Sequence, residues 1–398
     1  MSGTGKAALV LTGGGARAAY QVGVLVAIRE IRGRDPSNPF PILCGTSAGA
    51  VNACALAVAA HDFNAGVRRL ARVWRNFSVD QVYRSDARAI IGTGARWGSA
   101  LLFGWLLRQT PVSLLDNSPL RGLLERMLDF SAIGRAIQDG NLHAVSVTAS
   151  GYATGESLSF FEANASVAGW RRTQRVGLRA RLSVDHLLAS SAIPFVFPAV
   201  KLHREFFGDG SMRQLAPVSP AVHLGADRIL VVGAGRGGPA PRQRSNHYPS
   251  PAQIAGHAMS SIFLDSLAVD LERLQRINTT VSALSPEQRA AHGIELRPIE
   301  TLVIAPSQSL ETIASRYRAS LPPVLRAVLR GVGATRRNGS TLLSYLLFEQ
   351  GFTGALMRLG YGDAMARRAE VASFLRCELP SARTVAPEEV LQQTIFQK

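Results

Sequence analysis

The 398-residue chain is short of cysteine, of acid and of long apolar runs. Its three cysteines, Cys44, Cys54 and Cys377, are too few for a disulfide framework and show no metal-ligand spacing. A reducing compartment is therefore expected, and no metal site. No stretch reaches the roughly 20 uncharged apolar residues that span a bilayer. The N-terminal MSGTGKAALVLTGGG carries one lysine and then a short apolar run. It lacks the long apolar region and cleavage site of a secretory leader, so the expectation is a cytoplasmic protein, peripheral at the inner face of the membrane.

Acid is scarce relative to base: 28 Asp and Glu stand against 44 Lys and Arg, a formal net charge of +16. A field of that sign attracts nucleic acid, anionic lipid surfaces or acidic partners. Nucleic acid is not expected, because the arginines are scattered through GVRRLARVW, GWRRTQRVGLRARL and GATRRNGS, with no zinc-finger, RNP or basic-zipper pattern. An anionic membrane surface is the expected partner. Residues 89–107, AIIGTGARWGSALLFGWLL, suit it: a helix there stacks Trp97, Leu101 and Trp105, with Leu102 and Leu106 beside them. Arg84, Arg88, Arg96 and Arg108 flank or interrupt it. Such a helix either dips into lipid headgroups or packs as a lid on a soluble body.

What is present is an alternation of apolar strands and helical patterns. AALVLTGG (Ala7 to Gly14) reads as a buried parallel strand, with a helix from about Ala18 through Val22, Val24, Leu25 and Ile28. PILCGTS reads as a second strand, and AGAVNACALAVAA as a small-residue helix that can approach a sheet closely. LHAVSVTAS, LSFFEA, RILVVGA and ETLVIAP are further strands, separated by helical patterns such as SVDHLLASSAI and AMSSIFLDSLAVDLERLQRI. This order implies an α/β fold with a parallel sheet. Residues 235–251 are the clearest loop, and no strand signal follows Pro306.

Two glycine-rich segments sit at strand-to-helix turns, the edge of a parallel sheet where ligands bind. In Gly45-Thr46-Ser47-Ala48-Gly49 the serine stands where a nucleophile elbow needs it, ahead of a helix whose free amides favour an oxyanion. The alternative is a tight turn capped by Thr46 or Ser47. Gly13, Gly14 and Gly15 can point their amides into an anion-binding nest, with Arg17 adding positive charge. A P-loop is excluded because no Gly-Lys-Ser/Thr ending follows, and a dinucleotide fingerprint because position 18 is alanine. The same nest serves as an oxyanion hole. A serine nucleophile needs a base. None of the eight histidines sits in an obvious strand-end loop, whereas Asp209 lies in a Gly208-Asp209-Gly210 turn. A desolvated carboxylate there can take the proton, although an Asp-Gly turn also occurs for purely local reasons.

Four segments, GGGARAAYQVGVL, GTSAGAVNA, ASSAIPFVFPAV and GDGSMRQLAPVSPAVHLGADRILVVG, in this order over about residues 7–235, resemble bacterial patatin-like phospholipases. Ala18 and Ser211 depart from that family's usual glycine and glycine-or-alanine. The resemblance implies a three-layer α/β/α sandwich with a mainly parallel central sheet, plus C-terminal helices. It implies a Ser47–Asp209 catalytic dyad without histidine, an oxyanion hole at Gly13, Gly14 and Gly15 supported by Arg17, and an elbow framed by Gly45 and Gly49. The implied substrate is a phospholipid or lysophospholipid, hydrolysed at its acyl ester without a cofactor. The expected organisation is a catalytic domain over residues 1–306, with its motifs in 7–235, and a helical extension over 307–398. The competing readings are a serine esterase with a His-containing triad, drawing on His223, His247, His257 or His292, and a basic membrane-binding protein without catalysis. Oligomeric state is left open.

Overall fold

The computed structural model describes residues 5–84, 113–233, 235, 250–262, 266–294, 296–331, 333–334 and 340–378. The 89–107 segment, His247, most of the 235–251 loop and the chain beyond 378 lie outside the described residues.

Strand β1 (Ala7–Leu11) is buried along its whole length. Its side chains alternate between two separate cores: Leu9 and Leu11 enter one, Ala8 and Val10 the other. A strand that is apolar on both faces belongs between two helical layers, and that is where it lies. The other strands are β2 (Ile42–Thr46), β3 (Ala144–Gly151), β4 (Ser157–Ala163), β5 (Trp170–Arg172), β6 (Arg175–Arg179), β7 (Val200–Leu202), β8 (Glu205–Asp209), β9 (Arg228–Val232) and β10 (Glu300–Ile304). The sheet runs β10-β9-β1-β2-β3-β4-β6-β5. From β10 to β3 every neighbour is parallel. β4 turns back antiparallel along β3, while β8 pairs antiparallel with the last residues of β3, placing Asp209 opposite Ala149. Strands β5 to β8 are short or half-polar ribbons rather than long apolar runs, and the sequence pattern does not mark them.

A 3-10 turn (Gly15–Ala18) and α1 (Ala19–Arg32) connect β1 to β2, and α2 (Ala48–Ala57) and α3 (Phe63–Arg75) follow β2. Next come α4 (Ser118–Met127), α5 (Ser131–Gln138), α6 (Val184–Ser190), α7 (Ser219–His223), α8 (Pro251–Ser260), α9 (Ser266–Ser282) and α10 (Pro286–Ala291). After β10 the described chain is helical: α11 (Leu310–Arg316), α12 (Pro323–Gly331), α13 (Ser340–Leu346), α14 (Gln350–Ala366) and α15 (Arg368–Leu375). The larger core holds α1, α2 and α3 against one sheet face; α7 and α9 cover the other through Ala221, Leu224 and Leu274. The architecture is thus an α/β/α sandwich with a mainly parallel sheet.

The C-terminal helices are built into the larger core. Phe352, Leu356 and Met357 of α14 join the cluster formed by Val22, Leu25 and Ile28 of α1. Tyr20 donates to Asp363 at 2.9 Å and Tyr361 to Glu30 at 2.8 Å, tying the same two helices along their length. Burial of a shared face of this kind couples the stability of both segments. Phe352→Ala, at a fully buried site, is expected to lower a single unfolding transition by about 3–5 kcal/mol. Chemical denaturation followed by both circular dichroism and Trp fluorescence checks this; two separate transitions, with only the C-terminal one shifted, would contradict it.

Candidate active site

Ser47 stands between β2 and α2 with φ 55° and ψ −130°. This backbone region costs a non-glycine residue about 1–3 kcal/mol and persists only where the surroundings impose it. The surroundings here are backbone. A Cβ at position 49 would lie 2.2 Å from the Leu11 carbonyl oxygen, and one at position 45 would lie 2.4 Å from the Ala50 Cα. Gly45 and Gly49 therefore let the end of β1 and the first turn of α2 close on each other, and the serine takes up the sharp turn between them. Its amide donates to Ser190 Oγ at 2.8 Å, and that hydroxyl donates onward to the Thr148 carbonyl at 2.6 Å. Ser190 thus pins the elbow to β3.

Asp209 ends β8, next to the same part of β3. Its amide donates to the Ala192 carbonyl at 2.9 Å, and its Oδ1 accepts the Ser211 amide at 2.9 Å. Only 1% of Asp209 and 2% of Ser47 is exposed. Burial pushes the Asp209 carboxyl up to about 6, against the opposing pull of the Ser47 hydroxyl and of the Ser211 amide and hydroxyl. Oδ2 is buried without an aligned hydrogen bond, so the serine hydroxyl faces the carboxylate loosely rather than through a tight bond. Such loose pairs commonly tighten only when substrate arrives.

The glycine loop lies beside the elbow, since the Leu11 and Thr12 carbonyls are what Gly49 abuts. The amides of Gly13, Gly14 and Gly15 donate no hydrogen bond among the described residues. A buried chain of side chains fixes the loop from behind. Trp74 Nε1 donates to Asn52 at 2.8 Å, Asn52 to Gln21 at 3.0 Å, and Gln21 to the Thr12 carbonyl at 2.7 Å. Gly15 has φ 53° and abuts the Tyr345 carbonyl, where a Cβ would stand 2.4 Å away.

Arg17, expected to support the nest with a fixed positive charge, is itself ion-paired. It is 1% exposed, and its guanidinium turns into the C-terminal helices. Nε donates to Ser344 at 2.8 Å, Nη2 pairs with Glu311 at 2.7 Å, and the group lies 4.0 Å from the centre of the Tyr345 ring. Burial raises the Glu311 carboxyl, but Arg17 and the hydrogen bonds from its own backbone and Ser309 outweigh this and hold it below its ordinary value. Arg17 is a strut that fastens the glycine turn to α11 and α13.

Ser47 and Gly15 open into an apolar cleft lined by Trp74, Phe77, Phe197 and Phe348 among others. Trp74 and Phe77 stack at 5.0 Å, and Phe77 meets Phe348 at 5.7 Å. No histidine ring among the described residues hydrogen-bonds Ser47 or Asp209. His223 instead stacks on Trp170 at 4.9 Å, and burial with nearby Arg172 and Arg175 pushes it down to about 4. Ser190, Gln21, Asn52, Glu311, Ser344 and Tyr345 were not singled out from sequence. The first three lie inside the quoted motifs; the last three are about 300 positions from the loop they hold, with no local signal.

A carboxyl held above its ordinary 3.8 binds its proton more tightly folded than unfolded. Its charge therefore opposes folding progressively as pH rises from 3.8 to about 6, and fully above that. Asp209→Asn is expected to raise the unfolding free energy at pH 8 by about 1–3 kcal/mol, with the gain vanishing near pH 4. Melting curves across this range check it; destabilisation at pH 8 would contradict it.

Against known proteins, the family model for patatin-like phospholipases matches residues 9–222. A Pseudomonas aeruginosa protein described as a cGAMP-activated phospholipase is 27% identical over 211 residues, 52% of this chain and 53% of that protein. The chain thus spans about half the length of that curated relative. Among solved structures, VipD from Legionella pneumophila aligns over 86% of this chain and 67% of its own, at 13% identity and a TM-score of 0.27. With the family model covering more than half of the chain, the protein belongs to the patatin-like phospholipase family.

Proposed function

We propose that the protein is a serine lipid acyl hydrolase that cleaves fatty-acyl esters of phospholipids or lysophospholipids. The observation that carries this reading is a strained serine that lines an apolar cleft and stands beside a fully buried carboxyl pushed up to about 6. Desolvation raises the basicity of Asp209 towards what a general base needs, while leaving it mostly ionised at neutral pH.

In the proposed reaction the Asp209 carboxylate takes the Ser47 proton as Oγ attacks the ester carbonyl. The negative charge passes to the carbonyl oxygen, which receives hydrogen bonds from the amides of the Gly13–Gly15 loop. Collapse breaks the ester bond, and the leaving lysolipid alcohol takes the proton from Asp209. A water molecule, deprotonated by the same carboxylate, then attacks the acyl-serine. Ser47 regains its proton and the fatty acid departs. Each oxyanion donor contributes on the order of 100-fold in rate. The acyl chain occupies the cleft walled by Trp74, Phe77 and Phe348. The net charge of +16 favours anionic membranes as the site of action. The helices after Pro306 act as part of the catalytic body, since Arg17 and Gly15 rest on them.

The test is release of fatty acid from phosphatidylglycerol and its lyso form. Wild type is expected to turn over at least one of them. Ser47→Ala and Asp209→Asn should lose about 100-fold or more, while His223→Ala, His257→Ala and His292→Ala stay within a few-fold. A single histidine change that abolishes turnover in a folded protein would overturn the dyad. Lipid binding with no turnover would favour a non-catalytic role.

A further inference from the structure

The turn at residues 193–197 borders the cleft. Ile193 and Phe197 line the cleft, and Phe195 lies between them in the chain but points outward, 73% exposed, at a positive φ of 64°. A bulky aromatic residue rarely adopts that backbone. It is held there: the Leu114 amide donates to the Phe195 carbonyl at 2.8 Å, and the Leu115 amide to the Val196 carbonyl at 2.9 Å. Leu114 is itself 46% exposed. Two short segments are thus bonded so as to hold two large apolar side chains in water beside the cleft.

We propose that Phe195 and Leu114 form an apolar tip that inserts into a phospholipid surface, seating the cleft against the bilayer. The proposal rests on the lipid-hydrolase reading above and adds to it the surface through which substrate is approached. The chain's formal net charge of +16 favours an anionic bilayer as the occupant, since apolar side chains on a cationic body match the layering of acyl chains beneath anionic headgroups. A second copy of this chain fits less well. One Phe and one Leu offer at most about 300 Å2, against the roughly 800 Å2 per partner of a stable interface.

The experiment compares wild type, Phe195→Asn and Phe195→Trp in vesicles of phosphatidylglycerol and phosphatidylcholine. Co-sedimentation is measured together with turnover of those vesicles and of a short-chain ester below its micelle concentration. Asparagine tolerates the positive φ, so the turn is kept while the apolar group is lost. Phe195→Asn is expected to lower vesicle binding and vesicle turnover by about five-fold or more, with the soluble ester within about two-fold. Phe195→Trp should bind as wild type does and shift its emission to the blue on adding vesicles. Unchanged vesicle binding by Phe195→Asn, or equal losses on both substrates, would overturn the proposal. So would a wild-type dimer that Phe195→Asn dissolves without loss of vesicle binding. Should wild type hydrolyse neither ester yet bind vesicles through Phe195, the hydrolase reading fails and the surface stands.

Discussion

Everything at the candidate site depends on backbone meeting backbone where the end of β1 touches the first turn of α2. At Gly49 there is no room for even one carbon atom. That closeness forces Ser47 into a backbone conformation it would not otherwise adopt. It also brings the glycine loop after β1 alongside the serine. The elbow is then held by hydrogen bonds rather than by bulk: Ser190 ties its amide to β3. The same strand pairs with β8 and so carries Asp209 to the spot. One steric constraint and two strand pairings therefore bring together residues that are 162 positions apart, 47 and 209.

Much of this was legible in the sequence, for a physical reason in each case. β1 and β2 are continuous apolar runs because both faces are covered, and their glycine-rich ends mark the turns. Ser47, the Gly13–Gly15 loop and Asp209 stand in short local patterns of residue types suited to chemistry. Arg17 was legible as a fixed positive charge beside the glycine loop, but not in its direction. Its partners Glu311 and Ser344 come from helices whose sequences read as ordinary amphipathic segments. The relay from Trp74 through Asn52 and Gln21 to Thr12 was likewise silent, since a polar residue on a small-residue helix has many possible partners until the helices are packed. Strands β5 to β8 carry no such signal, because short, partly exposed ribbons lack the apolar run that marks a buried strand.

The C-terminal helices change how the site is understood. The Tyr345 carbonyl sits against Gly15, its ring lies under the Arg17 guanidinium, and Phe348 walls the cleft. A loop with free amides is only useful for catalysis if it cannot relax toward other acceptors. Gln21 holds it on one side and α13 on the other. Pre-organisation of this kind is where electrostatic stabilisation of a transition state comes from. Burial of Asp209 opposes folding and raises basicity at once, so the same desolvation that weighs against stability supports the proposed chemistry.

The most direct test of the central claim is the pH dependence of covalent labelling by a fluorophosphonate, with the modified peptide identified by mass spectrometry. The account predicts a single adduct on Ser47, formed at a rate that rises through about pH 6 and levels off above it. In Asp209→Asn it predicts a slow rate with that inflection gone. Labelling elsewhere, or a wild-type profile unaltered by Asp209→Asn, would contradict it.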